Sequence, residues 1–320
     1  MVGCQRGFIP YFKVVPEVLA IRCVIHRHHL VANSLSERLH RSLQLVITAV
    51  NRIKSRPLND RLFRQLCEEN GEDFHHLLLH TVVRWLSKGA CLSWFYNHFA
   101  TVLEFFKEDY ASLCENLKTF EGDIAYMADL YVKFNEMNLR IQGDELNLTK
   151  AKSVISAFVS KPLFYKYNLS REELYNFPNL CEVRNKGQIS EEDIEVYWRH
   201  LESLHQDFIE WFQDILSLEV PDWITNPFSG VENAEVQLQE ELLELQVNEE
   251  LKPKFKLGYR TFWLQRGISR LYPRLWPIVR KPLISFPSSY LVERGFSVVA
   301  NEEEKQSANC KSGRSDTSAD

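Results

Sequence analysis

Residues 101–120, TVLEFFKEDYASLCENLKTF, decide the fold class of this chain. Their large apolar side chains repeat at intervals of three, four or seven residues: Leu103, Phe106, Leu113, Leu117 and Phe120. That spacing places side chains on one face of an α-helix. The same period continues through nearly every window of residues 88–216, with a break near Gly143. We therefore predict a mainly α protein with a helical bundle over this block.

The sequence on the N-terminal side of this block predicts one strand and two helices. Residues 14–25, VVPEVLAIRCVI, are rich in Val and Ile and predict a short buried strand. From Ser34, the sequence Ser-Leu-Ser-Glu predicts a capping box that opens a helix ending before Pro57. A second helix is predicted over residues 60–69.

The C-terminal side contains shorter predicted elements. Residues 219–230 hold two prolines and predict a loop, and residues 231–250 predict an acidic amphipathic helix. The later predictions are, in order, helices over residues 259–271 and 273–279, a strand over residues 283–286, a last helix carrying Glu293, and a disordered tail over residues 301–320.

Charge is distributed unevenly along the 320 residues, although the net charge is only -5. Residues 1–66 hold 11 Lys and Arg against 3 Asp and Glu, and residues 201–250 hold 13 acids and no Lys or Arg. Residues 251–296 hold 10 Lys and Arg and a single acid, Glu293. Because phosphate attraction follows local charge, the two basic segments could form a nucleic-acid surface. The alternative is that they are solvated faces that do not converge in space.

The cysteines and the apolar runs bear on the cellular compartment. The seven cysteines form no CxxC pair, so the sequence predicts neither a disulfide framework nor a zinc ribbon. The N-terminus lacks the apolar run of a signal peptide, and no stretch approaches the roughly 18 apolar residues of a membrane span. We expect a nuclear or cytosolic protein without membrane attachment.

Three motifs follow one another along the chain: Cys23-Val-Ile-His26, Thr81-Val-Val-Arg84-Trp85-Leu-Ser87, and Ser288-Ser-Tyr-Leu-Val-Glu293-Arg-Gly-Phe296-Ser297. In this order they resemble the late half of hAT-superfamily transposases. The resemblance is strongest to the Buster-related group, which includes the zinc-finger BED-domain and SCAN-domain transposase-derived proteins.

The resemblance implies an incomplete RNase-H-like α/β core that is interrupted by a large helical insertion and followed by the hAT dimerisation region. On this basis residues 1–87 are the partial core and residues 88–250 the insertion. Residues 251–300 are then the dimerisation region with the last core helix, and residues 301–320 are the tail.

In that family three acids hold Mg²⁺ or Mn²⁺ for DNA strand transfer, a chemistry that needs several converging carboxylates. By the resemblance, Glu293 matches the third acid, and the other two would lie upstream of Met1. We therefore expect a non-catalytic protein that uses no cofactor, with Glu293 a vestigial third acid or an ordinary polar residue. The alternatives are a metal-dependent transposase fragment that needs acids from a longer form, and a truncated isoform without function.

The resemblance also assigns roles to the two earlier motifs. Arg84 and Trp85 match an Arg-Trp pair near the transposon end, where the indole could stack on an extruded base. The alternative is that Trp85 is a core residue. Cys23 and His26 have zinc-like spacing, but a structural zinc site needs four ligands, so we predict no metal site here. Their open roles are organising the region of the active site, as in the family, or simple packing.

Four aromatic residues lie in the region that resembles the dimerisation segment: Phe262, Trp263, Phe286 and Phe296. Arginines are interleaved with them, a mixture found at protein interfaces and in sites for single-stranded nucleic acid. Burial against the helical insertion, contact in a homodimer and contact with DNA therefore all remain open. We expect association with a protein partner or a second copy, then residual DNA binding, and no small-molecule substrate.

Overall fold

The computed structural model describes residues 23–73, 86–143 and 146–285. Within these ranges the chain forms helices joined by turns and contains no β-strand, so the mainly α prediction is confirmed. None of the described helices is both long enough and apolar enough to cross a membrane.

The helices, numbered in chain order, have the following bounds: α1 Val24–Ala32, α2 Glu37–Lys54, α3 Pro57–Glu69, α4 Leu86–Asn97, α5 Phe99–Phe106, α6 Ala111–Thr119, α7 Glu121–Arg140, α8 Leu148–Ser170, α9 Pro178–Asn185, α10 Glu191–Leu216, α11 Asp222–Thr225, α12 Val236–Val247, α13 Lys252–Phe255, α14 Tyr259–Trp263, α15 Arg266–Leu271 and α16 Trp276–Ile284.

Helix ends follow the local chemistry of the sequence. Ser36 is the N-cap of α2, two residues after the predicted start, and its hydroxyl accepts a hydrogen bond from the Leu39 backbone N–H at 3.4 Å. Helix α2 ends at Lys54, before Pro57, as predicted. Pro57 opens α3, a position where the missing N–H costs no hydrogen bond. The break predicted near Gly143 separates α7 from α8.

Both predicted strands are wrong where the structure describes them. Val24 and Ile25, the end of the predicted strand over residues 14–25, belong to α1. Leu283 and Ile284, the start of the second predicted strand, belong to α16. Val24 and Leu283 are buried, and a short buried apolar run fits a helix as well as a strand, so its periodicity does not distinguish them.

The chain divides into two compact units, which are described separately. The bundle unit comprises residues 26–140 and 154–213. The C-terminal unit comprises the described residues of 141–153 and 214–285, together with residues 23–25. The predicted helical insertion, residues 88–250, is therefore shared between the two units.

The bundle unit is organised around α7. Helices α2, α4, α6 and α9 pack against α7, and residues 123–131 of this helix are all buried. A helix that is covered on every side occupies the interior of a bundle. Helix α7 therefore positions the side chains of its neighbours.

The C-terminal unit has its own apolar core. Trp263 is fully buried there, and its indole N–H donates a hydrogen bond to the carbonyl oxygen of Ile224 at 2.7 Å. Phe262 packs edge-on against Phe228 and Phe255, with ring centroids 5.8 and 5.6 Å apart. Because the polar atom of Trp263 is satisfied, the large ring can be buried at no cost in lost hydrogen bonds.

Candidate association surface

Five residues with predicted roles lie outside the described residues: Arg84, Trp85, Phe286, Glu293 and Phe296. The base-stacking, dimerisation and vestigial catalytic roles assigned to them stay predictions.

Cys23 and His26 lie at the start of α1. Cys23 is half-buried directly before this helix, and His26 is exposed on it. Within the described part of the chain, neither belongs to a group of three or more His, Cys, Asp or Glu residues close enough to share a metal ion. The roles weighed for these two residues stay predictions.

Phe262 and Trp263 are fully buried in the core of the C-terminal unit. The residues that cover them include Trp223, Leu238 and Leu242, from the part of the predicted insertion that belongs to this unit. Their role in dimerisation stays a prediction. Because neither side chain reaches the surface, such a role would act through the fold and not through direct contact with a partner.

The strongest polar cluster of the bundle unit is turned inward. The Asp123 carboxylate has no exposed surface and accepts hydrogen bonds from Ser42 at 2.7 Å and from Tyr197 at 2.9 Å. The Arg38 guanidinium donates two hydrogen bonds to the same carboxylate, at 2.8 and 3.0 Å, and a third to Asp193. With its partners in place, the buried charge holds α2, α7 and α10 together and has no capacity left for a ligand.

His200 is another buried polar residue of the bundle unit. Its Nε2 lies 3.0 Å from the carbonyl oxygen of Ser34, which can only accept, so Nε2 carries the proton. Nδ1 of the neutral ring then accepts a hydrogen bond from the Tyr126 hydroxyl at 2.8 Å. Burial lowers the pKa of His200 from 6.5 to about 4. The ring is therefore uncharged at neutral pH.

A cleft of about 760 Å³ opens above this network and contains three arginines. Arg38 is paired with two aspartates, and Arg199 is paired with Glu195 at 2.5 Å. Arg41 lies over the ring of Phe120, and Glu37 also lines the cleft. Since these acids offset the arginines, the cleft does not concentrate the positive charge that phosphate recognition requires.

Helix α12 of the C-terminal unit is apolar on two opposite faces. Leu238, Leu242 and Leu245 are buried in the core. The opposite face carries Val236, Leu243 and Val247, which are 82%, 53% and 72% exposed. Steps of seven and four residues return close to the same side of a helix, so these three lie along one side of α12, with Glu240 between Val236 and Leu243. We call this row the α12 stripe.

An inward-turned acid fixes the rotation of α12. Glu241 is buried, and its carboxylate accepts hydrogen bonds from the backbone N–H groups of Arg274 at 2.9 Å and Leu275 at 3.1 Å. These groups stand at the start of α16, where backbone donors lack partners within the helix and attract negative charge. With Glu241 held inside, the α12 stripe must face outward. Glu240 and Glu244 lie beside the stripe.

A second set of exposed apolar residues lies in a basic setting. Leu257, Leu264 and Leu271 are 70%, 46% and 59% exposed, and we call them the basic leucine set. Residues 251–285 around them contain nine Lys and Arg and no acid. The C-terminal unit thus exposes apolar residues beside acids on α12 and three separate leucines in a segment rich in cations.

The α12 stripe was missed in the sequence, although a signal for it existed. The acidic helix over residues 231–250 was predicted, and its observed bounds are Val236–Val247. The spacing of Val236, Leu243 and Val247 is itself helical, but it lies on the face opposite a second apolar row. The pattern alone does not tell which row is buried.

Comparison with known proteins gives two similarities and no structural match. Residues 22–170 match the family model described as the FAM200/GTF2IRD2 helical domain. The chain is 28% identical over 287 residues to the General transcription factor II-I repeat domain-containing protein 2 of Bos taurus, an alignment that covers 88% of this chain and 29% of that protein. The chain therefore spans less than a third of the length of this relative. No solved structure matches the chain.

Proposed function

We propose that this chain is a non-catalytic, transposase-derived module that acts in the nucleus by pairing with a second copy of itself. The similarity to the helical-domain family supports the family part of this proposal. The name of the bovine relative, a general transcription factor repeat-domain protein, supports nuclear action. The ordered motifs carrying Cys23, Arg84 and Glu293 support descent from an hAT-type transposase with an RNase-H-like core.

The proposed lack of catalysis rests on the chemistry of the family. Strand transfer by two metal ions needs several carboxylates on hard cations, which clamp the attacking and leaving oxygens. By the resemblance, only Glu293 of this chain matches one of the three acids. A single carboxylate cannot hold two metal ions in that geometry, so we propose a role in association and not in chemistry.

The observation that carries the proposal is the outward α12 stripe. Helices of monomeric domains normally bury their apolar face and expose polar residues, whereas Val236 and Val247 are largely exposed opposite a complete core. Contiguous exposed apolar residues with a polar rim mark surfaces that associate. The acids beside this stripe define what kind of surface would complement it.

We infer that the basic leucine set supplies the complementary surface in the same chain. The basic leucine set offers apolar side chains among Lys and Arg, and residues 251–285 contain no acid that would repel Glu240 and Glu244. In a twofold dimer, any contact between two different patches occurs twice. The α12 stripe of each copy would lie on the basic leucine set of the other, and the opposite charges would fix the orientation.

Co-purification of two differently tagged copies of the chain tests the pairing. We expect Leu243→Asp to reduce co-capture about tenfold or more, because burying a Leu side chain contributes about 1.5–3 kcal/mol and tenfold corresponds to about 1.4 kcal/mol. Leu62→Asp is the matched control, since Leu62 is 48% exposed on α3 of the bundle unit. Equal co-capture by both variants, or none by the unaltered chain, would contradict the proposal.

Residual DNA binding is the second candidate, and the nine Lys and Arg of residues 251–285 favour it. Real phosphate contacts release counterions, so binding of a duplex should weaken steeply and linearly on a logarithmic scale as salt rises. Fluorescence anisotropy with labelled DNA measures this slope. If the affinity for DNA did not change with salt, DNA binding by residues 251–285 would be excluded, and pairing would remain as the proposed function of this segment.

A further inference from the structure

A tight turn after α3 folds Glu72 back toward Cys67. Gly71 adopts a φ of +71°, a left-handed conformation that favours glycine, and its N–H donates to the Glu68 carbonyl oxygen at 3.1 Å. The Glu72 N–H donates to the Cys67 carbonyl oxygen at 2.8 Å. This pair of bonds is a Schellman motif. It brings the Glu72 carboxylate beside the buried Cys67 thiol.

His98 approaches the same point from the junction between α4 and α5. Its Nδ1 lies 2.9 Å from the Trp94 carbonyl oxygen, which only accepts, so Nδ1 carries the proton. The ring is stacked on the Trp94 indole with centroids 4.5 Å apart. The lone pair of Nε2 is therefore directed away from the backbone, and Nε2 lies 3.9 Å from Glu72 Oε2.

The Glu72 carboxylate is held in place through Oε1, and its Oε2 lies on the side of His98. Oε1 accepts a hydrogen bond from the Thr101 hydroxyl at 2.9 Å, and Thr101 in turn accepts one from the Asn70 side chain at 3.1 Å. Oε2 is buried and accepts no hydrogen bond of full geometry among the described residues, although the Glu72 carboxylate lies within reach of the Cys67 thiol. A thiol is a weak donor, so it compensates the buried carboxylate oxygen poorly. A cation at this point would compensate it better.

We propose that Cys67, Glu72 and His98, with a water molecule as the fourth ligand, form a zinc site that ties the end of α3 to the junction between α4 and α5. Their ligand atoms all lie within 4.8 Å of one another. Ligands of a tetrahedral zinc ion with bonds of about 2.0–2.3 Å lie about 3.3–3.8 Å apart, so side-chain shifts of about 1 Å close the site. The hydrogen bonds to the Trp94 carbonyl and from Thr101 are the outer supports that zinc ligands normally have.

The chemical types of the three protein ligands favour zinc over magnesium and calcium. A thiolate, an imidazole and a carboxylate together suit Zn²⁺, whereas Mg²⁺ and Ca²⁺ prefer oxygen ligands alone. Zinc binds the thiolate, so zinc binding forms the sulfur–zinc bond and releases the thiol proton to solvent.

Cobalt substitution of the full chain tests the site, because Co²⁺ takes tetrahedral zinc sites and gives a thiolate charge-transfer band. After chelator treatment and removal of any affinity tag, we expect one equivalent of Co²⁺ to produce this band and Zn²⁺ to abolish it. Cys67→Ser should remove the band. Glu72→Gln, which keeps the shape of a half-exposed side chain, should weaken Co²⁺ binding about tenfold or more.

Two control variants locate the metal. Cys114 is a second buried thiol of the bundle unit, and Cys114→Ser should leave the band unchanged. Cys23→Ser should also leave it unchanged, which separates this site from the zinc-like spacing of Cys23 and His26. The proposal is overturned if the unaltered chain shows no band, or if the band survives in Cys67→Ser. Circular dichroism of each variant confirms that it is folded.

Discussion

The two units of this protein differ in where their unusual residues lie. They are polar residues in the interior of the bundle unit and apolar residues on the surface of the C-terminal unit. In the bundle unit, charged and polar groups are turned inward, and Asp123, Asp129 and His200 are buried with hydrogen-bond partners. In the C-terminal unit, the exposed apolar residues Val236, Leu243 and Val247 lie along one side of α12; the bundle unit also exposes apolar residues, among them Leu58 and Leu62 of α3. An interior polar network makes one arrangement of helices unique. We expect a partner to cover the α12 stripe, which would give the two units different roles.

The largest effect is expected from breaking the polar interior of the bundle unit. Asp123→Ala leaves the Ser42 and Tyr197 hydroxyls and the Arg38 guanidinium without their shared acceptor. We expect the free energy of unfolding to fall by about 4 kcal/mol, as when one partner of a buried pair is removed. Urea denaturation followed by circular dichroism measures the change.

The matched control uses an acid on the surface of the same unit. Glu115 pairs with Lys118, and both side chains are more than half exposed. Glu115→Ala should therefore change the stability by less than about 1 kcal/mol. If Asp123→Ala proved equally mild, the inward polar cluster would not distinguish the bundle unit from the rest of the chain.

A second, smaller loss of stability is expected when the pH falls. Burial lowers the pKa of His200 to about 4, and burial together with His29 lowers the pKa of His28 to about 3. Both pKa values lie below the ordinary 6.5 of a histidine in the unfolded chain. Burying the two neutral rings therefore costs no stability above pH 6.5. The folded state loses stability as the pH falls from 6.5 toward 4, because the unfolded chain then binds protons that the buried rings do not. At pH 5 each histidine accounts for a loss of about 2 kcal/mol.

Asp129 opposes part of this loss. Burial raises its pKa to about 6, because desolvation outweighs the hydrogen bonds from the Leu180 and Asn179 backbone N–H groups. A raised carboxyl pKa favours the folded state at low pH, so Asp129 offsets about 1 kcal/mol at pH 5. The net loss between pH 7.5 and pH 5 is then about 2–3 kcal/mol.

Histidine variants and the location of the loss test this prediction. In His200→Gln, the free energy of unfolding should fall less between pH 7.5 and pH 5, by most of the amount attributed to one histidine. His40→Gln, on an exposed position of α2, should leave the fall unchanged. The described residues of the C-terminal unit contain no histidine. Hydrogen exchange, corrected for its intrinsic pH dependence, should therefore show acid opening in peptides of residues 26–140 and not of residues 214–285. The reverse pattern would contradict the account.

Much of the helical architecture could be predicted because it depends on local chemistry. The helical period over residues 88–216, the stop before Pro57 and the break near Gly143 are properties of neighbouring residues. The strands predicted at residues 14–25 and 283–286 failed because short apolar runs do not distinguish a buried strand from a buried helix.

The division into units could not be predicted because it depends on distant contacts. The resemblance assigns residues 214–250 to the helical insertion, which stays a prediction, and in the structure these residues pack with the C-terminal unit. Contacts such as Glu241 with Leu275 and Trp263 with Ile224 cause this, and they join residues more than thirty positions apart. A buried Glu is also unexpected, since acids are rarely enclosed. It is nevertheless Glu241 that decides which face of α12 is exposed.

Sedimentation velocity of the full chain over a range of concentrations tests the central claim most directly. We predict a monomer–dimer equilibrium that shifts toward monomer as salt rises, because Glu240 and Glu244 face the cations of the basic leucine set across the contact. Leu243→Asp should sediment as a monomer at concentrations where Leu62→Asp still dimerises. A chain that stays monomeric at every concentration, or a dimer unaffected by Leu243→Asp, would contradict the account.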